Sequence, residues 1–311
     1  MKVSHHPDYF LPLPEGHPFP MAKYPRVLEL LRERGVVGPG DVLEPAEAAP
    51  EDLARVHDAR YLGKLFGDGL TREEERRLGV PWSVRLLRRS RLAVQGTLDA
   101  ARTALALGVA GNLAGGTHHA FADRGEGFCL LNDVAVAIRA LQAERAIAHA
   151  LVVDLDVHQG NGTAAIFAGD PAVFTFSIHG ERNYPLQKMR STLDVALPDG
   201  TGDEQYLAAL AQHLPAILAR FDADLVFYLA GVDVAAGDRY GRFALGDAGV
   251  RARDRFVIDA VRDAGLPLVL TLAGGYAASA ERTAALHAIA FEEAAARAGR
   301  DQAARARGAG E

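Results

Sequence analysis

From about residue 80 onward, short runs rich in β-branched residues alternate with longer stretches whose apolar residues recur at helical spacing. The short runs predict strands at 109–113, 147–155, 173–178, 225–230 and 268–272. The stretches between them predict helices at 83–107, 132–143, 160–168, 203–221 and 247–264. Strands that alternate with helices predict a mostly parallel sheet covered on both faces. We therefore expect an α/β domain with three αβα layers.

Both ends of the chain are less regular. The N-terminal part, which precedes this alternating pattern, contains Pro-rich segments and short predicted helices at 50–56 and 58–66. No composition shift marks a boundary after it, so we expect it to pack on the sheet within one domain, 1–298. An Ala/Arg/Glu-rich helix is predicted from residue 277 to about residue 298, followed by a disordered tail at 299–311.

Composition excludes several classes of protein. The formal net charge is −6 and the arginines are dispersed among acids, so direct binding of nucleic acid is not expected. The single cysteine, Cys129, has no partner for an intrachain disulfide and is expected to be a small buried hydrophobe. The N-terminus lacks the apolar run of a secretion signal, and no uninterrupted apolar run approaches the length that a membrane-spanning helix needs. The sequence thus predicts a cytoplasmic protein without a membrane span, and leaves its oligomeric state open.

Polar motifs follow each predicted strand: GGTHHA, DLDVHQGNG, SIHG, AGVD and AGGYA, in chain order. In open α/β sheets, ligands bind in the crevice beyond the carboxyl ends of the strands. Five strand ends therefore indicate one common site.

The DLDVH segment is the candidate metal site. On an extended backbone, Asp154, Asp156 and His158 share one face because side chains alternate with a period of two. Asp156 and His158 are candidate ligands, and Asp233, which follows another apolar strand, is the best third. Three protein ligands leave a position open, as in catalytic zinc sites. Zinc is preferred over magnesium because one ligand is a histidine, although iron or cobalt also suits such a set.

Taken alone, the DLDVH string is equally consistent with a structural role, as a strand end with a capping aspartate and a histidine whose hydrogen bonds are all made. Asp233 alone would more often be a turn residue. The convergence of five strand ends favours the metal site.

His118 and His119 follow the segment Gly115-Gly116-Thr117, which leads from a predicted strand end toward the predicted metal site. Two imidazoles there could take a proton from water and deliver one to a leaving amine. Asp154 could orient one ring and Asn161 the other. The second His pair, His5-His6, is assigned to a solvated N-terminus.

The string Gly274-Gly275-Tyr276 most often marks a turn into a helix. Alternatively, its glycines let Tyr276 reach across the metal and donate a hydrogen bond to an oxyanion. Phe128 is equally consistent with a core position and with the wall of a narrow tunnel.

The motifs of this chain resemble, in order and spacing, those of the histone deacetylase family: GGTHHAFADRGEGFCLLNDVAVAI, VVDLDVHQGNGT, SIHG, AGVDVAAGD and LAGGYA. The resemblance covers roughly residues 17–285 and is weakest before residue 50. It implies the arginase/deacetylase fold and the hydrolysis of N-acyl-lysine at zinc.

The resemblance also implies roles for individual residues. The zinc ligands are Asp156, His158 and Asp233. The catalytic residues are His118, His119, Tyr276, Asp154 and Asn161, with Asp154 paired to His118 and Asn161 to His119. The substrate-binding residues are Gly127, Phe128 and Gly275. A structural potassium ion would be bound by the backbone of Asp154, Asp156 and His158 together with Ser177.

Three departures from the family pattern matter. Asn161 stands where many members have Asp, so His119 gains a neutral partner. The GNG, AGGY and AGDRYGRFAL strings are more similar to the class IV branch, which is associated with removal of long fatty acyl groups as well as acetyl. The segment 179–188 differs from class I and is expected to line the rim, so the acyl preference stays open.

Competing functions remain. Acetylpolyamines and other small acylated amines are alternative substrates, although no dimerising insertion of the polyamine deacylases is present. A ureohydrolase such as arginase shares the fold but needs a second metal and more carboxylates. A non-catalytic acyl-lysine binder is the remaining alternative.

Overall fold

The structure is a computed structural model that describes residues 1–308. Its strands are β1 (Val3–Ser4), β2 (Val42–Leu43), β3 (Val109–Asn112), β4 (Ala150–Asp154), β5 (Val173–Gly180), β6 (Leu193–Leu197), β7 (Leu225–Leu229) and β8 (Leu268–Thr271). They form one eight-stranded sheet in the order β2-β1-β3-β8-β7-β4-β5-β6. Every neighbouring pair is parallel. The predicted parallel α/β architecture is confirmed.

The helices between the strands cover both faces of the sheet. They are α1 (Lys23–Glu33), α2 (Pro50–Leu53), α3 (Ala59–Phe66), α4 (Arg72–Leu78), α5 (Val84–Leu107), α6 (Asp133–Ala143), α7 (Asn161–Ile166), α8 (Asp203–Arg220), α9 (Asp247–Asp263) and α10 (Ala280–Gly308). The helices α5 and α6 pack together, and α1, α10, α9 and α8 pack in series. The sheet is thus the middle of three layers.

Alternation along the central strands divides the core into two clusters. In β4, Val152 packs in the cluster that contains most of α6, whereas Leu151 and Val153 belong to the cluster on the other side. In β7, Phe227 and Tyr228 divide in the same way. Both strands are buried throughout because parallel strands are covered on both faces.

Three strands were not predicted. Two of them, β1 and β2, are only two residues long, so they carry no readable periodicity. The third, β6, is an edge strand whose residues are mostly half-buried, which blurs its hydrophobic pattern. Because β1 pairs with both β2 and β3, the N-terminal part of the chain contributes two strands to the sheet, whereas it was expected only to pack on it.

The solvated N-terminus assigned to His5-His6 is wrong for His5. This residue follows β1, its backbone N–H donates to the carbonyl of Leu43, and its side chain is buried. Burial lowers the pKa of His5 to about 4, so the ring is neutral near pH 7.

The last helix, α10, continues through residues 299–308, the first part of the predicted tail. Residues 309–311 lie outside the described part of the chain, and the tail stays a prediction. None of the helices in residues 1–308 is both long and apolar enough to cross a membrane.

Candidate active site

The candidate site lies at the carboxyl ends of the central strands. Asp154 is the last residue of β4, and Asp156 and His158 follow it in the next loop. Asp233 lies in the loop that follows β7. Since β4 and β7 are hydrogen-bonded neighbours, their loops meet at the same edge of the sheet.

Asp156, His158 and Asp233 converge there. Each offers one ligand atom, and these atoms lie within 4.8 Å of one another. Nδ1 of His158 is 2.9 Å from Oδ1 of Asp156 and 3.2 Å from Oδ2 of Asp233. All three side chains are buried. The three metal ligands predicted from sequence are therefore together.

Backbone hydrogen bonds hold the carboxylates in place. The N–H of Gly274 donates to Oδ2 of Asp156 over 2.6 Å, and that of Val157 donates to Oδ1 of Asp233 over 2.9 Å. A Cβ atom at position 274 would overlap the Asp233 carboxylate, so only glycine allows this close approach.

The net negative charge of this cluster favours a bound cation. Burial and the nearby Asp156 carboxylate raise the pKa of Asp233. Burial lowers the pKa of His158, but its two carboxylate neighbours outweigh burial and raise it to about 10. Without a metal, two buried carboxylates beside one protonated imidazole still leave a net negative charge away from solvent. A divalent metal that displaced the proton of His158 would balance both carboxylates, so the residues present fit one.

His118 and His119 lie beside this cluster, with ring centroids 4.1 Å apart. Nδ1 of His118 lies 2.7 Å from Oδ2 of Asp154, and Nδ1 of His119 lies 2.7 Å from Oδ1 of Asn161. Both pairings expected from the sequence are present.

The different partners give the two rings different charge preferences. Burial lowers the pKa of His118, but the Asp154 and Asp156 carboxylates outweigh burial and raise it to about 9. Burial and the neighbouring His118 hold the pKa of His119 well below its usual range, against a neutral partner, Asn161. His119 is therefore the neutral ring of the pair.

Buried hydrogen bonds fix the loop that carries the two histidines. The Asp133 carboxylate accepts from the backbone N–H groups of Gly116 and Thr117 over 3.0 and 2.7 Å. His57 joins the other end of the loop: Nδ1 donates to the carbonyl of Phe121, and Nε2 accepts from the N–H of Asn132. Hydrogen bonds at both ends thus hold the one loop that carries both histidines.

Tyr276, in the loop that follows β8, lines the same site as the two histidines and is 9% exposed. Its N–H donates to Oδ2 of Asp238 over 2.6 Å. The other Asp238 oxygen accepts from the N–H groups of Tyr240 and Gly241. Asp238 thereby joins the Tyr276 backbone to the turn that carries Tyr240.

A cavity of about 270 Å³ leads to this cluster. Its walls are Arg77, Leu78, Gly79, His119, Gly127, Phe128, His158, Tyr184, Tyr240 and Tyr276. A second, inner cavity of about 40 Å³ shares some of these residues and extends past Asp156, Arg89 and Gly274. Phe128 is a wall of the cavity, and Tyr184 confirms that the segment 179–188 reaches the rim.

The remaining expected residues lie less directly at the site. Gly127 lines both cavities, and a Cβ there would lie 2.6 Å from Cδ2 of His119. Gly274 rather than Gly275 lines the inner cavity, and a Cβ atom on Gly275 would lie 2.5 Å from Cγ2 of Val232 and 3.0 Å from Nε2 of His287. Ser177 pairs with Asp154 in the sheet, and its hydroxyl is 3.0 Å from Nδ1 of His179. The potassium site stays a prediction.

Sequence reasoning missed Glu126, Tyr240 and Arg253. Glu126 accepts a hydrogen bond from Nδ2 of Asn161. Fully buried Arg253, on α9, donates to the carbonyls of Leu155 and Gly231, which lie at the start of the two ligand loops. The adjacent charged pair Arg253-Asp254, on the buried face of α9, was the available signal for Arg253. Tyr240 carried none.

The sheet order, the buried metal-type cluster and the cavity that leads to it fit a hydrolase of the arginase/deacetylase type. A profile of the Histone deacetylase domain matches residues 17–291. The chain belongs to the histone deacetylase family.

Similar proteins agree with this assignment. An uncharacterized protein of Picosynechococcus sp. is 47% identical over 275 residues, which are 88% of this chain and 92% of that protein. Histone deacetylase 2 of Arabidopsis thaliana is 32% identical, over 89% of this chain and 74% of the relative. The Histone deacetylase-like amidohydrolase of Pseudomonas aeruginosa is also 32% identical, over 85% and 74%.

The fold agrees as well. The crystal structure of an HDAC homolog from Aquifex aeolicus superposes with a TM-score of 0.80 at 23% identity, over 94% of this chain and 83% of the other. The expected arginase/deacetylase fold is confirmed, and the chain is a histone deacetylase-family hydrolase of acyl-amides.

Proposed function

We propose that this protein is a zinc-dependent deacylase of N-acyl-lysine in proteins, located in the cytoplasm. The observation that carries the proposal is the convergence of Asp156, His158 and Asp233 with two histidines and a tyrosine at the foot of an aromatic cavity. A cavity of about 270 Å³ with aromatic walls suits a linear acylated side chain.

Asp156, His158 and Asp233 would hold the metal. The histidine nitrogen in the set favours zinc over magnesium. When bound, zinc supplies a Lewis acid that polarises the amide carbonyl and activates water. Asp154 lies outside this set because its Oδ2 is engaged by His118.

His119 is proposed as the general base and then the general acid. Because Oδ1 of Asn161 can only accept, Nδ1 of His119 must donate, and this leaves a lone pair on Nε2. That nitrogen takes the proton of the attacking water and returns it to the leaving amine. His118, held by Asp154, assists as a charged neighbour.

Tyr276 is proposed to donate its hydroxyl proton in a hydrogen bond to the oxygen of the tetrahedral intermediate. Burial keeps the pKa of this phenol well above its usual range, so the hydroxyl stays protonated and able to donate. Gly127 and Phe128 would guide the acyl-lysine chain along the cavity wall.

A turnover panel tests the substrate. Zinc-loaded protein would be offered acetyl-, octanoyl- and myristoyl-lysine peptides together with acetylputrescine. We expect hydrolysis of at least one acyl-lysine peptide, with a higher kcat/KM than for acetylputrescine. Turnover of acetylputrescine alone would move the assignment to small acylated amines, and no turnover at all would favour a binding protein.

Metal stoichiometry separates the proposal from a dinuclear ureohydrolase. We expect one tightly bound zinc ion per chain. Two tightly bound manganese ions per chain would contradict the proposal. Activity that requires potassium would support the additional potassium site at Asp154, Asp156, His158 and Ser177.

A further inference from the structure

Glu126 is a partly buried carboxylate behind the histidine pair, and its side chain is 15% exposed. Its backbone exchanges two hydrogen bonds with Cys129 over 3.0 and 2.9 Å, around a turn formed by Gly127 and Phe128. Both turn residues have positive φ, 54° and 69°. Gly127 and Phe128 of this tight turn line the cavity, whereas the Glu126 carboxylate bonds to Asn161 and Tyr184.

One oxygen of this carboxylate serves two donors. Oε1 of Glu126 accepts from Nδ2 of Asn161 over 3.0 Å and from the hydroxyl of Tyr184 over 2.5 Å. The other oxygen lies 3.4 Å from Nε of Arg124. Asn161 and Tyr184 are both neighbours of His119, so Glu126 acts on that ring from two sides.

The contact with Asn161 determines which way its amide is turned. A carboxylate only accepts hydrogen bonds, so the NH₂ group of Asn161 must face Glu126. Oδ1 is then left to face Nδ1 of His119 at 2.7 Å. Without Glu126, the amide could flip, exchange its oxygen and nitrogen, and present NH₂ to His119. That ring would then carry its proton on Nε2 and lose the lone pair that a base needs.

The contact with Tyr184 places a ring against the same histidine. The Tyr184 and His119 rings meet edge to face, with centroids 4.9 Å apart and planes at 88°. Tyr184 is itself 39% exposed and lies in a segment where Leu186 is 97% exposed. Its hydrogen bond to Glu126 is what ties this exposed side chain to the wall.

We propose that Glu126 is a positioning residue that fixes the Asn161 amide and thereby the tautomer of His119. The inference rests on the proposed function, since it assigns His119 as the base. It also explains how a neutral partner can serve there: Asn161 carries no charge of its own, but a carboxylate behind it removes the ambiguity of its amide.

The first test is Glu126→Gln. Glutamine keeps the shape but can donate as well as accept, so Asn161 is free to turn. We expect kcat/KM for acyl-lysine peptide to fall by about 10–100-fold, mainly through kcat. The matched control is Glu204→Gln, an exposed residue of α8 away from the cavity, which should leave kcat/KM unchanged.

The decisive variant is Asn161→Asp, alone and combined with Glu126→Gln. The single Asn161→Asp change places a carboxylate 3.0 Å from that of Glu126 and should impair the enzyme. The double variant removes this repulsion and supplies an acceptor that cannot turn the wrong way. It should be more active than either single variant, which is strong non-additivity. Losses that simply multiply would overturn the proposal.

A spectroscopic measurement is independent of turnover. In zinc-loaded protein labelled with ¹⁵N-histidine, His119 should show a protonated Nδ1 and an unprotonated Nε2. In Glu126→Gln both shifts should move toward intermediate values, and the double variant should restore them. Wild-type shifts in Glu126→Gln would overturn the proposal. Should that variant fail to fold, Glu126→Asp, which is one methylene too short to reach both donors, makes the same test.

The two failures are distinguishable. If zinc-loaded wild-type protein hydrolysed no acyl-amide, the proposed function would fall while the nitrogen shifts still reported on His119. If the wild-type protein were active but Glu126→Gln kept both its activity and its shifts, only the role of Glu126 would fall.

Discussion

The floor of the site and its wall are built differently. The floor, Asp156, His158 and Asp233, is buried and held by backbone N–H groups on loops of central strands. The wall, Phe128, Tyr184 and Tyr240, is partly exposed and comes from turns outside the sheet. Substitutions in the floor would disturb several buried hydrogen bonds at once, whereas substitutions in the wall would change only exposed turns. We infer that the floor serves the reaction and the wall serves selectivity.

The largest expected effect is that of Asp233→Asn. The amide lacks the negative charge that favours binding of a divalent metal. It also has only one oxygen, which cannot both accept from the N–H of Val157 and bind the metal, as the two oxygens of Asp233 can. Removal of a group that only hydrogen-bonds to a metal ligand typically lowers metal affinity by about 10–100-fold. We expect a larger fall in zinc affinity here, measured by competition with a chromophoric chelator, and the loss of activity. Asp222→Asn, an exposed position, is the control. Retained zinc affinity would remove Asp233 from the ligand set.

Tyr276→Phe separates chemistry from metal binding. The ring remains but its donor is lost, so kcat should fall by about 10²–10³-fold. Zinc content, measured by atomic spectroscopy, should stay at the wild-type value because the hydroxyl is not a predicted ligand. Normal deacylation by this variant would refute the oxyanion role of Tyr276.

Arg253→Lys tests how the floor is supported. One guanidinium nitrogen, Nη1, donates to the carbonyl of Leu155 over 3.3 Å and to that of Gly231 over 2.6 Å. Arg253 thereby joins the two loops that carry the metal ligands. A lysine keeps the charge but not this planar geometry. We expect zinc affinity to fall by about 10–100-fold. Arg255→Lys on the same helix should have no such effect, and equal affinities in both variants would contradict a supporting role.

The smallest expected effect belongs to the wall. Tyr240→Ala widens the cavity without touching the floor, so the ratio of kcat/KM for octanoyl- over acetyl-lysine should rise by about tenfold or less. Zinc affinity should not change. A fall in zinc affinity would show that floor and wall are coupled through Asp238, whose carboxylate joins the Tyr240 turn to Tyr276.

The central part of the fold was predictable because its strands are buried and apolar and its helices are periodic. The helix predicted at 83–107 is Val84–Leu107, capped by the side chain of Ser83. The strands Val3–Ser4 and Val42–Leu43 were not predicted, since two residues carry no period and pairing across the sheet decides their conformation.

Most of the predicted site residues lie at or shortly beyond the carboxyl ends of strands that could be predicted, whereas Gly127 and Phe128 lie in a turn far along the loop after β3. Alternation within DLDVH placed Asp156 and His158 on one face, and the parallel sheet brought Asp233 beside them. Gly275 was expected at the substrate, but the bend of its loop presents Gly274 instead. Glu126 gave no local signal, because its partners, Asn161 and Tyr184, lie far from it along the chain.

Local periodicity and residue type were enough to predict the parallel sheet and the polar side chains at its carboxyl edge. The volume of the cavity, the orientation of the Asn161 amide and the contacts of Arg253 with the ligand loops emerged from the folded chain. Those features depend on contacts between distant segments, whose distances no local pattern encodes.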